Sequence, residues 1–268
     1  MKKPLLFPFV LVVACGVQPA PDPADAQETG TQDLAFAFPG YYRTDGATVT
    51  PVWGGAAQAV SFENSDPELD AEGFKRVFEA PADVILYGRT APRGRFLVFG
   101  AWRALPGQAP GKGDGLYAAS PLNINCLADP CPTLELTRLD ASGQLGIESV
   151  NLTLAPFVEE AVLQARIHAG RTLLAGTEAK NLKFDASVVY IRLPERVSCP
   201  QIRPPPCGKK VATFYREDRC LYFDACVEEG PCPEWFVERT CAKGYRETRF
   251  SAAPNACEQL ACEPDFFE

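Results

Sequence analysis

Cysteine is the residue type with the strongest chemical signal in this chain of 268 residues. The chain holds 11 cysteines and a single histidine, and so many thiols are typical of an exported, oxidised protein rather than a cytosolic one. Without Cys15, an even number of cysteines remains, and this predicts that all of them form disulfides. The ten cysteines concerned are Cys126, Cys131, Cys199, Cys207, Cys220, Cys226, Cys232, Cys241, Cys257 and Cys262.

The last eight of these cysteines form two groups of four with similar spacing. The intervals are 7, 12 and 5 residues in the first group and 8, 15 and 4 residues in the second. This spacing indicates two four-cysteine modules with two disulfides each, and three pairings remain open in each module if the pairing stays internal. A zinc ribbon is the alternative, but the C-x2-C spacing that it needs is absent.

Cys126 and Cys131 stand apart from these groups, with Pro130 between them. A redox pair would use C-x-x-C spacing, and a zinc knuckle would need further cysteine or histidine ligands nearby. Neither condition is met, because the one histidine of the chain is His168. We therefore interpret the pair as a structural disulfide that closes a loop between two strands.

Familiar catalytic motifs are missing from the sequence, including G-x-S-x-G, the P-loop, H-E-x-x-H and G-x-G-x-x-G. His168 ends a predicted helix, where a cation is favoured, and Glu159 and Glu160 lie in its first turn, where acids are common. The sequence therefore predicts no catalytic residue, no cofactor and no metal site. An acid pair of a carboxylate-based hydrolase would still escape detection in sequence.

Aromatic residues are the remaining candidates for binding. Trp235 and Phe236 lie in the Cys-rich region, where little core is available. They could either stack on a partner or pack within the fold. Trp102 lies in a predicted strand, where packing is the more common role. We take these three as possible binding residues, and we expect Phe266 and Phe267 to fray at the end of the sequence.

The first 15 residues have the pattern of an export leader. Met1-Lys2-Lys3 precedes an apolar run over residues 5–13, which is too short to span a bilayer as a mature helix. Val12-Val13-Ala14-Cys15 then resembles the lipobox of bacterial lipoproteins. The resemblance implies cleavage before Cys15 and lipid attachment to it, which removes this cysteine from the disulfide count. Gly16, in place of an aspartate that would resemble an inner-membrane retention signal, favours the outer membrane.

Residues 16–33 follow as a stretch with three prolines, four acids and almost nothing to bury, which is typical of an extended, solvated tether. Without residues 1–14 the net charge falls from −8 to −10, because Lys2 and Lys3 are removed. An excess of acids disfavours nucleic acid as a partner, because phosphate contacts need lysine and arginine.

The middle of the chain has a pattern that recurs after 88 residues. Residues 83–106 and 171–194 each predict two strands around a turn, and their alignment matches six identical residues, among them Gly88 with Gly176. A helix-like segment precedes each strand pair, and three further strands precede each helix. This order predicts a five-stranded OB-like barrel for each unit. A ferredoxin-like or cystatin-like α+β sheet is the alternative.

The predicted fold is therefore mainly β with one helix per unit, as tandem five-stranded OB-like barrels followed by a disulfide-rich region. The predicted segments are a signal peptide (1–14), a lipid-anchored tether (15–33), a first β-rich unit (34–106), a linker (107–115), a second β-rich unit (116–195) and two four-cysteine modules (196–268).

Three segments of the second unit add a further resemblance. Leu116-Tyr117-Ala118-Ala119, Cys126–Thr133 and Gly170–Gly176 are together similar to a domain of unknown function that occurs in secreted and lipid-anchored bacterial proteins. The resemblance covers residues 80–194 and implies no activity.

Together these observations predict a non-enzymatic lipoprotein of the cell surface or periplasm that binds an unidentified protein or glycan. Two alternatives remain open at this point: a protease inhibitor that presents disulfide-stapled loops, and a carboxylate-based hydrolase.

Overall fold

The computed structural model describes residues 38–122, 124, 126, 131–232 and 240–268. Within these ranges the chain is mainly β, with two α-helices and one short 3-10 turn. None of the helices described is long and apolar enough to cross a membrane. The predicted mainly β character is therefore confirmed.

Twelve strands form one sheet, and six come from each half of the middle region. The first six are β1 (Gly40–Thr44), β2 (Thr48–Pro51), β3 (Gln58–Ala59), β4 (Ser61–Asn64), β5 (Val84–Ala91) and β6 (Arg95–Ala104). The next six are β7 (Gly115–Pro121), β8 (Leu134–Arg138), β9 (Gln144–Ile147), β10 (Ser149–Leu152), β11 (Thr172–Ala179) and β12 (Lys183–Leu193). The main path of the sheet is β3-β2-β1-β5-β6-β12-β11-β7-β8-β9, while β4 pairs with β6 and β10 pairs with β12.

This open order corrects the prediction of two closed barrels. The two halves share one sheet because β6 and β12 pair antiparallel, with Arg103 opposite Ile191. A closed barrel in each half would need one continuous strand where the chain has two short ones. Val60 separates β3 from β4 in the first half, and Glu148 separates β9 from β10 in the second. The predicted linker over 107–115 falls between β6 and β7, except that its last residue, Gly115, begins β7.

Two helices make the crossover connections that the parallel strand pairs require. α1 (Ala71–Val77) lies between β4 and β5, and its N-terminus is capped by Asp70, whose carboxylate accepts a hydrogen bond from Gly73 N at 2.7 Å. α2 (Glu160–His168) lies between β10 and β11. His168 is exposed in the last turn of α2, where a cation interacts favourably with the helix dipole.

Two glycines set the bends of the longest hairpins. The ladder of β5 with β6 shifts register at Gly88, and that of β11 with β12 shifts at Gly176. A Cβ atom on Gly88 would lie 2.2 Å from the carbonyl oxygen of Leu97, and one on Gly176 would lie 2.1 Å from that of Asp185. A side chain therefore cannot be accommodated at either bulge.

The main core lies on the sheet face that the helices cover. Edge-to-face aromatic pairs occur in both halves, with ring centroids 4.8 Å apart for Tyr42 and Phe96 and 5.1 Å apart for Tyr117 and Phe184. α1 and α2 contribute buried aliphatic side chains to the same cluster, among them Val77, Leu163 and Ile167.

The Cys-rich region folds as two β-hairpins. These are β13 (Val211–Glu217) with β14 (Cys220–Val227), and β15 (Tyr245–Ala252) with β16 (Cys257–Pro264). Each module joins its first cysteine to its third and its second to its fourth, so the pairing is internal. The described residues contain the disulfides Cys126–Cys131, Cys199–Cys220, Cys207–Cys226, Cys232–Cys257 and Cys241–Cys262. So many disulfides are typical of an extracellular or periplasmic protein.

A buried ionic cluster holds the hairpins against the rest of the fold. Arg219, in the turn between β13 and β14, donates from Nε to Glu263 Oε1 at 3.1 Å, and its Nη1 lies 3.7 Å from Glu195 Oε1. Arg216 also pairs with Glu263, and Arg166 of α2 donates to Glu195 at 2.7 Å. Because these charges come from three separate regions of the chain, their pairing fixes the hairpins in place.

The end of the chain is packed rather than frayed, which corrects the expectation for Phe266 and Phe267. Both rings belong to the main core cluster. The guanidinium of Arg103 lies 5.1 Å from the centre of the Phe266 ring, and that of Arg219 lies 4.5 Å from the centre of the Phe267 ring. The backbone of Glu268 donates to the carbonyl oxygen of Glu195 at 2.9 Å.

Candidate binding surface

The sheet face opposite the helices holds an aromatic cluster in its first half. Side chains alternate between the faces of a strand, so Tyr42 of β1 enters the core while Tyr41 lies on the opposite face. Tyr87 of β5 and Trp102 of β6 share that face. We call Tyr41, Tyr87, Phe99 and Trp102 the aromatic face.

The rings of the aromatic face are in mutual contact. The ring centroids of Tyr41 and Tyr87 are 5.0 Å apart, those of Tyr41 and Trp102 are 5.7 Å apart, and those of Tyr87 and Phe99 are 6.4 Å apart. Trp102 is only 5% exposed, while the other three rings are half-buried. The surface therefore presents a row of tyrosine and phenylalanine rings, of which Tyr41 rests on a packed indole.

The bulge at Gly88 and a small residue on β6 create this arrangement. Tyr87 pairs with Gly100 and Gly88 pairs with Val98, so Phe99 has no partner in the ladder. A Cβ atom on Gly100 would lie 2.9 Å from the Trp102 ring, so the indole lies directly against the glycine backbone. The glycine thus lets the indole lie flat along its own strand.

An arginine from the other half of the sheet borders the aromatic face. The guanidinium of Arg192 lies 5.3 Å from the centre of the Trp102 ring and donates to Asp66 Oδ2 at 3.2 Å. The indole Nε1 of Trp102 is buried and has no hydrogen-bond partner among the described residues. An unpaired buried donor carries a free-energy cost in the folded chain.

The hydroxyl of Tyr41 remains a hydrogen-bond donor at neutral pH. Burial raises the pKa of Tyr41, the neighbouring Tyr87 raises it further, and the charge of Arg192 offsets only part of this. The aromatic face therefore combines apolar ring surfaces with a protonated phenol.

Only one of the predicted binding residues lies in this cluster. Trp102 is part of it, although mainly as its packed base, as expected for a tryptophan within a strand. Trp235, Phe236 and the lipidation site Cys15 lie outside the described residues. So do residues 127–130 of the Cys126–Cys131 loop, on which the protease-inhibitor alternative depends.

The sequence by itself does not single out Tyr87 or Phe99 as binding residues. Their approach depends on the strand register and on the bulge at Gly88, which a single sequence does not reveal. The one available signal was the alternation of Ile85 and Tyr87 along a predicted strand, which places both on one face.

Acidic residues converge at a second place, between α2 and β16. Burial raises the pKa of Glu159, whereas the pKa of Glu263 lies below its usual range because hydrogen bonds from arginines outweigh its burial. Arg216 contacts both carboxylates. The crevice beside them has a volume of about 10 Å³, which is room for about one water molecule. The contacts at this cluster are those of a structural ion network.

Comparisons with protein-family models, with curated proteins and with solved structures found no match for this chain.

Proposed function

We propose that this chain is a lipid-anchored, non-enzymatic binding protein of the outer membrane whose aromatic face contacts a glycan. The observation behind the proposal is the set of three half-buried rings in mutual contact, one of which packs on the buried indole of Trp102. The oxidised cysteines support an extracellular or periplasmic location, and the lipobox-like sequence around Cys15 supports the anchor.

A glycan matches the chemistry of this surface better than an extended apolar ligand does. Aromatic rings offer flat apolar faces to the C–H groups of a sugar, while a few polar groups fix its orientation. The Tyr41 hydroxyl and the Arg192 guanidinium lie at the cluster and supply donors for sugar hydroxyls. A protein partner is the competing occupant, and the binding experiment below separates the two.

The comparison between the two halves of the sheet further supports a specialised surface. We infer that the halves are copies of one unit, since the parallel pairs Ser61 with Arg95 and Ser149 with Lys183 are related by 88 residues. Tyr87 of the first half then corresponds to Ala175 of the second. Trp102 corresponds to Tyr190, which is also aromatic and buried, so the halves differ in the tyrosine at the surface and not in the packed ring beneath it.

Replacing Tyr87 with alanine is expected to weaken glycan binding about tenfold, because loss of one stacking ring costs roughly 1.4 kcal/mol. Titration calorimetry of the full chain with oligosaccharides prepared from bacterial envelope would measure the change. Tyr215→Ala is the matched control, because Tyr215 is 46% exposed and lies on the separate hairpin β13–β14. Binding of a protein but of no oligosaccharide would overturn the glycan assignment, and equal affinities of the two variants would exclude the aromatic face.

Replacing Cys15 with serine tests the anchor. The variant has no thiol to carry the lipid, so it is expected to leave the membrane fraction and appear in the soluble fraction, whereas the unmodified chain stays with the membrane. Immunoblots of the two fractions would show the distribution. A serine variant that remains membrane-bound would contradict the proposed lipid anchor.

A further inference from the structure

We infer that the loop Trp53–Ala57, together with Phe38, contacts the surface of the lipid bilayer to which the chain is anchored. The inference rests on the proposed lipid anchor, and it adds a defined orientation of the folded part against the membrane. We call Phe38 and Trp53–Ala57 the membrane-facing loop.

The membrane-facing loop holds the two most exposed large hydrophobic side chains of the described residues. Phe38 is 78% exposed and Trp53 is 50% exposed. Gly54 to Ala57, between β2 and β3, are exposed as well. Exposed large aromatic residues are costly in water, and their clustering on a protein surface marks an interaction site.

Trp53 is held in place although half of its surface faces solvent. A Cβ atom on Gly40 would lie 2.7 Å from Cη2 of Trp53, so the indole rests against the glycine backbone at the start of β1. Its ring centroid lies 5.7 Å from that of Tyr42, which is fully buried. Because Gly40 is only two residues from Phe38, both exposed aromatic residues belong to the same end of the sheet.

The charge pattern around the loop suits contact with a bilayer. The mature chain has a net charge of −10, yet residues 46–62 contain no charged side chain. Arg89 is exposed and follows Gly88, the ladder partner of Gly40, which places a cation beside the loop. An uncharged, aromatic and glycine-rich surface bordered by arginine meets the requirements of the membrane interface, where tryptophan is enriched.

The position of the tether favours lipid over other occupants. The described structure begins at Phe38, and 22 residues separate Phe38 from Cys15. Such a segment spans at most about 80 Å, so the proposed anchor keeps this end of the fold within that distance of the bilayer. Tethering raises the effective concentration of the bilayer at the loop into the millimolar range, so even a weak interfacial contact is populated.

The test uses the full lipidated chain in phosphatidylcholine vesicles whose acyl chains carry bromine, a short-range quencher of tryptophan emission. Comparing the unmodified chain with Trp53→Phe isolates the emission of Trp53. We expect brominated lipid to remove most of the Trp53 emission, because the indole lies at the interface. The emission of Trp102 should not be quenched, because Trp102 is buried. Trp102→Phe is the matched control and should retain the quenching.

The outcomes separate this inference from the proposed anchor. If the chain sediments with the vesicles but the Trp53 emission is equal in brominated and ordinary lipid, the anchor stands and the membrane-facing loop is wrong. If the chain stays in the supernatant, both fail. A Phe38→Ser and Trp53→Ser double variant should still sediment through its lipid, because the anchor at Cys15 is retained.

Discussion

Replacing Arg219 with methionine is expected to lower the free energy of unfolding by about 3 kcal/mol, because it removes a buried cation that two buried carboxylates share. The side chain of Arg219 is 2% exposed. Its loss would leave Glu195 and Glu263 without their shared cation and would remove the contact with the Phe267 ring. Denaturant unfolding with the disulfides intact would measure the change.

The same substitution should change the dependence of stability on pH. Burial by itself would raise the pKa of Glu263, but a hydrogen bond from Arg246 and the charges of Arg219 and Arg216 hold it below the usual range. A depressed folded-state pKa adds stability above the unfolded value of about 4.3, and that stability is lost as the pH falls through the folded-state value. The difference between Arg219→Met and the unmodified chain should therefore shrink between pH 7 and pH 3.

Arg249→Met is the matched control, since it removes the same side chain from an exposed pair. Arg249 lies 2.6 Å from Glu258 on the hairpin β15–β16, and both side chains are well exposed. Exposed pairs of this kind contribute about 1 kcal/mol or less. Equal losses for the two arginines would show that the buried cluster has no special role.

The positions of strands and helices could be predicted from sequence because they depend on local patterns. The 88-residue alignment matched Gly88 with Gly176, and both glycines occupy bulges where a side chain would strike a backbone carbonyl. The predicted helices also occur, as α1 and α2. In each case the signal lies within a few residues of the element that it specifies.

The joining of the two halves could not be predicted in this way. The pairing of β6 with β12 links segments that are 88 residues apart. The alternation of side chains between the two faces of each strand would be the same beside a different neighbouring strand, so it does not specify the partner. The aromatic face depends on the same long-range information, since Tyr41, Tyr87 and Trp102 come from three strands. Disulfide pairing could be predicted only in part. Internal pairing limited each module to three choices, and the hairpin geometry selects one of them.

The end of the chain shows how tertiary contacts override position in the sequence. Residues at an end fray unless they are held down. Here Arg103 and Arg219, more than 100 residues apart, each place a guanidinium over one of the two phenylalanine rings. Only the folded chain brings those two arginines to the same place, so neither contact has a sequence signal.

Replacing Phe267 with alanine is accordingly expected to cost about 3–5 kcal/mol of unfolding free energy, as for a phenylalanine truncated within a core. Phe267 is 4% exposed and belongs to the main core cluster. Its loss would also uncover Arg219 and loosen the backbone bond between Glu268 and Glu195. The free energy of unfolding should be measured by denaturant titration under oxidising conditions.

Phe38→Ala provides the matched comparison for this substitution, because it removes the same side chain from an exposed position. In solution without lipid its effect should stay within about 0.5 kcal/mol. The Phe267 ring shields the Arg219 guanidinium, so Phe267→Ala and Arg219→Met should be coupled, and the double variant should cost less than the two single variants together. Strict additivity would mean that ring and guanidinium act independently, and a negligible effect of Phe267→Ala would mean that the chain end is not part of the core.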